Sequence, residues 1–149
     1  MKRRIDVHTG EIMAGQGEVV LQSDAQGACM VIVAYDAIRK IGGLAHALFS
    51  SGNGLHPWQS TLMKNAEGAI DEMVSDMTLL GSDKNDIEVA LISGENISRG
   101  SQDPAYANRI SETIELLKQK QIRFKENQAG DAGHTHVCLD VASGNILYS

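Results

Sequence analysis

The chain lacks long apolar runs and has few aromatic residues, and both shortages narrow the class of protein. No apolar stretch of the 149 residues approaches the roughly 20 residues that a membrane-spanning helix requires. The N-terminus also lacks the apolar segment and small-residue cleavage site of a secretory signal. We therefore expect a cytoplasmic protein without membrane insertion. Aromatic residues make up 4% of the chain, and the 15 glycines favour a sheet-rich fold with tight turns.

Positive charge is scarce as well. The 13 Lys and Arg residues against 19 Asp and Glu give a formal net charge of −6, and the cations are scattered apart from Lys2, Arg3 and Arg4. A protein that binds nucleic acid usually carries a basic stripe or patch. We therefore expect no nucleic-acid partner.

The chain contains two cysteines, Cys29 and Cys138. In a chain without export signals the reducing compartment favours free thiols over a disulfide. A domain of this length buries enough of its surface to fold without a disulfide or metal staple. We interpret residues 1–149 as a single domain whose stability implies no cofactor.

Hydrophobic patterning predicts strands first and helices later. Residues 18–21, 29–35, 41–49, 87–92 and 122–126 are predicted strands, and a hairpin joins 135–141 to 146–148. Apolar spacings of three and four predict a helix over about 59–80, and Asp103 before Pro104 predicts the start of a second helix ending near Lys120. This order predicts a mixed α+β fold, in which two main helices pack against layered, mostly antiparallel sheets.

The second and third strands bring a thiol and an imidazole together in one predicted register. If residues 36–39 form a four-residue hairpin loop, Tyr35 faces Lys40 and Cys29 faces His46. Directly opposed Cβ atoms lie roughly 4.5–5.5 Å apart, so the imidazole would reach the thiol. A bulge at the glycines 42–43 would break this register.

A histidine that takes or holds the thiol proton creates the nucleophilic thiolate of a cysteine hydrolase. The small polar residues before Cys29 are typical of a turn that delivers a nucleophile and backbone N–H donors, and the Ser23 hydroxyl could orient the imidazole. The structural alternative is that Cys29 is a small buried hydrophobic residue and His46 a core histidine with its hydrogen bonds satisfied. Residue types alone leave both interpretations open.

Near the C-terminus His134, His136 and Cys138 alternate, which would place them on one face of a strand. Such side chains can bind zinc. Alternate residues lie almost 7 Å apart along a strand, however, which strains a three-residue chelate. We therefore expect a polar strand and no metal site.

Three short segments carry a family resemblance: SDAQGAC at 23–29, Tyr35-Asp36, and IGGLAH at 41–46. They resemble the signature of CheD, the chemoreceptor glutamine deamidase family of bacterial and archaeal chemotaxis. Fainter matches continue to the C-terminus, at 66–70, 93–95, 109, 130 and 143–144.

The resemblance implies an enzyme whose fold is a layered α/β/β sandwich. Its site residues would be Cys29 as nucleophile, His46 as acid and base, and Ser23 as the group that orients the histidine. Its substrate would be glutamine side chains in the cytoplasmic domain of a chemoreceptor, with glutamate methyl esters as a second class. Because CheD relatives also bind the phosphatase CheC, and because Asp24-Ala25-Gln26 replaces a glycine-rich turn, a non-catalytic regulator of a CheC-type phosphatase is the alternative.

Overall fold

The computed structural model describes residues 3–8, 11–24, 29–48, 66–93, 104–128 and 136–148. Within these ranges the chain forms nine β-strands and two α-helices. The strands are β1 (Arg3–Asp6), β2 (Ile12–Gln16), β3 (Val19–Asp24), β4 (Cys29–Asp36), β5 (Ile41–Leu48), β6 (Ile87–Ser93), β7 (Arg123–Gln128), β8 (His136–Asp140) and β9 (Asn145–Tyr148), and the helices are α1 (Ala66–Leu79) and α2 (Pro104–Gln119). Neither helix of this described part has the length and hydropathy of a membrane span.

The strands pair into two mixed sheets. A four-stranded sheet has the order β1-β3-β8-β9, and a five-stranded sheet has the order β2-β5-β4-β6-β7. The pairs β1–β3 and β6–β7 are parallel. The pairs β2–β5, β3–β8, β4–β5, β4–β6 and β8–β9 are antiparallel.

Apolar side chains cover both faces of the five-stranded sheet. One buried cluster joins this sheet to the helices and includes Met73 of α1 and Leu117 of α2. The second buried cluster lies between the two sheets and includes Leu21 and Leu139 from one sheet and Val33 from the other. The layers are therefore helices, five-stranded sheet and four-stranded sheet, which confirms the predicted α+β sandwich.

The paired glycines of β5 let both neighbouring layers approach closely. A Cβ atom on Gly42 would lie 2.7 Å from Leu139 Cδ2, and one on Gly43 would lie 2.7 Å from Met73 Cγ. Both glycines pair with β4 in a regular ladder. Close neighbours on the two faces, and not a bulge, account for this pair of residues.

The predicted helices and strands agree best with the structure where the local sequence signals are strong. The second helix begins at Pro104, as the capping pattern predicts. The first predicted helix is observed from Ala66, and its residues 59–65 lie outside the described ranges. β1 and β2 were missed because both lie at sheet edges and their side chains are exposed or half-buried, so they lack an apolar pattern.

Gly144 is expected to be intolerant of a side chain. Its φ is +80°, and a Cβ atom there would lie 2.5 Å from Cε2 of Tyr35, whose hydroxyl donates to the Val141 carbonyl at 2.7 Å. Gly17 is a matched control, because its φ is +77° but nothing lies within 4 Å of its added Cβ. We expect Gly17→Ala to cost about 1 kcal/mol and Gly144→Ala about 2–3 kcal/mol. Denaturant unfolding of both variants measures the difference, and equal losses would contradict the collision with Tyr35.

Candidate active site

Ser23 and His46 share a buried hydrogen bond that links the two sheets. Ser23 Oγ lies 2.9 Å from His46 Nδ1. The two residues are 2% and 3% exposed. A hydroxyl can donate to or accept from an imidazole nitrogen, so the contact suits either protonation state of the ring.

The alternation of side chains along each strand explains this contact. On β3, Ser23 follows Leu21 on the face toward the other sheet, and on β5, His46 follows Leu44 on the facing side. Two strands from different sheets thus each carry one polar residue next to the apolar cluster between the sheets. The contact is a tertiary one, since β3 and β5 belong to different sheets.

One backbone hydrogen bond and two cross-strand valines surround this pair. The His46 N–H donates to the Glu11 carbonyl at 3.2 Å. Val31 is the cross-strand partner of His46, and Val137 is the cross-strand partner of Ser23. Both valines are buried in the cluster between the sheets. Sequence reasoning missed these supporting residues because their assignment depends on the observed registers.

The predicted register that set Cys29 directly opposite His46 is wrong. Cys29, the first residue of β4, pairs with Leu48, whereas His46 pairs with Val31. Position 29 therefore lies two residues along β4 from the partner of His46. The predicted loop has the right length but begins one residue too early.

The Asp36 carboxylate explains why the turn begins at residue 37. Asp36 Oδ1 accepts hydrogen bonds from the N–H groups of Ile38 at 3.0 Å and Arg39 at 3.2 Å, which folds the chain back after Asp36. Lys40 ends the turn in the left-handed region, with φ 54°. The strand pairing thus starts with Asp36 and Ile41.

The same carboxylate is buried and ionised. Asp36 Oδ2 accepts from Ser82 Oγ at 2.9 Å and from the Arg39 guanidinium at 3.0 Å, and that guanidinium also contacts Asp86 at 2.8 Å. Burial raises the pKa of Asp36, but the hydrogen bonds from Ser82, Arg39 and Ile38 outweigh it and hold the pKa below its ordinary value. This network stabilises the turn of the β4–β5 hairpin, which is the opposite end of the hairpin from His46.

The C-terminal histidine and cysteine pattern falls on β8. His136 and Cys138 lie on this strand, and His134 lies outside the described residues. Cys138 is a free, half-buried thiol that pairs across the strand with Gln22, and burial raises its pKa. Within the described ranges, no group of three or more His, Cys, Asp or Glu side chains could hold a metal ion.

Of the three residues predicted to carry the chemistry, the structure therefore brings Ser23 and His46 into contact. It places Cys29 at the start of β4, near the same end of the five-stranded sheet as His46.

The architecture is similar to that of a solved protein structure, although no family model matches the chain. A crystal structure of a Neisseria meningitidis protein of the DUF152 family superposes with a TM-score of 0.51 at 11% sequence identity, over 88% of this chain and 64% of that protein. At this identity the similarity shows a shared fold only.

Curated relatives extend over most of the chain. The Archaeoglobus fulgidus relative is 32% identical over 91% of this chain and 86% of its own length. Relatives from Pyrococcus abyssi and Chlorobium luteolum are each 26% identical, over 98% and 96% of this chain and 91% and 71% of their own lengths. All three are named probable chemoreceptor glutamine deamidase CheD. The identity and coverage of the Archaeoglobus relative show that this chain belongs to the CheD family.

Proposed function

We propose that this protein is a cysteine-dependent amidohydrolase that converts glutamine side chains of chemoreceptors to glutamate. The names of its relatives support the substrate. The observation that carries the proposal is the buried hydrogen bond between Ser23 and His46. A hydroxyl that fixes a buried imidazole is the third component of a nucleophile, base and orienting-group arrangement.

The position of Cys29 in the strand ladder fits the role of nucleophile. Residues 29 and 31 share one face of β4 by the two-residue period of a strand, and His46 is paired with residue 31. Diagonal neighbours of this kind lie roughly 7–8 Å apart, which is within reach of an aromatic side chain such as the imidazole of His46. The observed register thus supports a thiol and imidazole pair, in a diagonal rather than a direct arrangement.

The first half of the reaction forms a thioester. The Cys29 thiolate attacks the carboxamide carbon of the substrate, and the carbonyl electrons move to oxygen. When the tetrahedral intermediate collapses, the C–N bond breaks and the nitrogen leaves as ammonia with a proton from the imidazolium of His46. Because Nδ1 bonds to Ser23, we assign this proton transfer to Nε2.

The second half releases glutamate. Neutral His46 takes a proton from water, whose oxygen attacks the thioester carbon, and the C–S bond then breaks to restore the Cys29 thiolate. One water is consumed and one ammonia is released for each glutamate formed. A glutamate methyl ester presents the same acyl carbon, so the site would also hydrolyse it, with methanol as the leaving group.

The substrate class also gives the partner and the compartment. The protein would act on the cytoplasmic domain of a chemoreceptor and therefore in the cytoplasm. Each turnover adds one negative charge to the receptor, which is a local electrostatic change that can alter signalling.

Mass spectrometry of a receptor cytoplasmic domain incubated with the protein tests this proposal. Conversion of specific glutamines to glutamate, absent when the protein is omitted, is the expected result. Absence of conversion together with stoichiometric binding to a CheC-type phosphatase would overturn the enzyme and favour the regulatory alternative. Alkylation of Cys29 with iodoacetamide separates an active site without its correct substrate from an inert thiol.

Ser23→Ala is expected to lower the deamidation rate roughly 10–100-fold, because loss of the orienting hydrogen bond misplaces the imidazole. Ser23→Thr keeps the hydroxyl and is the matched control, with most of the activity retained. The rate is followed as ammonia release, and circular dichroism confirms that both variants fold. Equal activity of Ser23→Ala and the natural protein would contradict the role of Ser23.

A further inference from the structure

One buried valine lies at the junction of the three residues to which we assign the chemistry. Val31 is fully buried in the cluster between the sheets. It pairs across the strand with His46 on one side and with Ile92 on the other. It is also two residues from Cys29 on the same strand face.

The side chains of Val31 and His46 are therefore direct neighbours on one face of the sheet. Directly opposed Cβ atoms in an antiparallel pair lie roughly 4.5–5.5 Å apart. Val137 plays the corresponding part in the other sheet, where it pairs with Ser23 and is 1% exposed. The hydrogen bond between the sheets is thus flanked by one packed valine on each side.

We propose that Val31 is a positioning residue, which sets the orientation of His46 toward Ser23 and toward residue 29. A well-packed β-branched side chain has few rotamers, so it restricts the conformations of the side chains packed against it. Truncation leaves a space into which the imidazole can rotate. The effect on rate rests on the proposed deamidase function, whereas the effect on the ring itself does not.

Val33 provides a matched control for Val31. Both valines belong to β4, point into the same cluster and are buried, at 0% and 2% exposed. Val33 pairs with Leu44 rather than with His46. Val31→Ala and Val33→Ala are therefore expected to lower the melting temperature by similar amounts, so that any difference in the site reflects position and not stability.

The experiment measures the His46 ring and the reaction separately. Nuclear magnetic resonance of protein labelled in its five histidines reports the nitrogen shifts of each imidazole. The His46→Gln variant assigns the His46 signals, and Ser23→Ala gives the shifts of the ring without its Ser23 hydrogen bond. We expect Val31→Ala to move the His46 Nδ1 shift toward the Ser23→Ala value and Val33→Ala to leave it unchanged. The same preparations give kcat and KM for glutamine deamidation, and we expect kcat to fall at least roughly tenfold in Val31→Ala alone, with KM unchanged.

Each outcome is decisive. Unchanged His46 shifts in Val31→Ala, or equal shifts in both valine variants, would overturn the positioning role. Selective shifts in Val31→Ala in a protein that deamidates no receptor would support the positioning role and count against the proposed function. Selective shifts together with a selective loss of kcat would support both.

Discussion

Cys29→Ala is expected to reduce receptor deamidation to the uncatalysed rate. The proposed reaction passes through a thioester on the Cys29 sulfur, and alanine offers no atom that can form it. Mass spectrometry of the receptor domain, at equal concentrations of folded natural protein and variant, measures the loss. Turnover by Cys29→Ala at the natural rate would refute the assignment of the nucleophile.

His46→Gln tests whether the three residues act as a unit. Glutamine retains polar atoms near the position of the ring but cannot exchange a proton near neutral pH, so we expect a loss of about 10²–10⁴-fold. If Ser23 acts only through His46, adding Ser23→Ala to His46→Gln will cost nothing further, although Ser23→Ala alone lowers the rate. A double-mutant cycle on kcat measures this coupling. Additive losses would mean that Ser23 contributes independently of the imidazole.

The residues of the candidate site and a contact between Ser23 and His46 could be predicted from the sequence, but the strand register and the packing of the two sheets could not. The spacing of Ser23, Cys29 and His46 and the family resemblance gave the residue types. The contact between Ser23 and His46 arises because two sheets pack face to face, and such packing has no signature within a single strand. Alternation identified which residues share a strand face and left open which sheet each face would meet.

The register of the β4–β5 hairpin could not be predicted from the local sequence pattern. A four-residue loop was predicted and observed, but Asp36 belongs to the strand because its carboxylate accepts hydrogen bonds from the turn N–H groups. A shift of one residue in the loop moved the partner of His46 from Cys29 to Val31. The edge strands β1 and β2 were not predicted, because they bury little and carry no strong apolar pattern. The second helix, whose start depends only on neighbouring residues, was placed correctly.

Asp36→Ala is expected to destabilise the fold by about 3 kcal/mol, because it removes a buried carboxylate that accepts several hydrogen bonds. For a domain of this size the melting temperature should fall by roughly 6–12 °C. Asp36→Asn is the matched control. Its amide oxygen can still accept from the N–H groups of Ile38 and Arg39, so we expect about half the loss. Differential scanning calorimetry of the two variants measures the difference, and a melting temperature unchanged in Asp36→Ala would contradict this stabilising role.

The same carboxylate predicts a dependence of stability on pH. The pKa of Asp36 in the folded protein lies below its ordinary value, so the folded state binds the Asp36 proton less readily than the unfolded chain does. The stabilisation is fully present above the unfolded pKa of roughly 3.9 and is lost as the pH falls through the lower folded pKa. Asp36→Asn has no proton to bind at this position. We therefore expect its deficit in the free energy of unfolding, measured by urea titration, to be constant from about pH 7 to pH 5 and to shrink below about pH 4. A deficit that stays constant throughout this acid range would show that Asp36 is not held in its ionised form by the Ser82 and Arg39 hydrogen bonds.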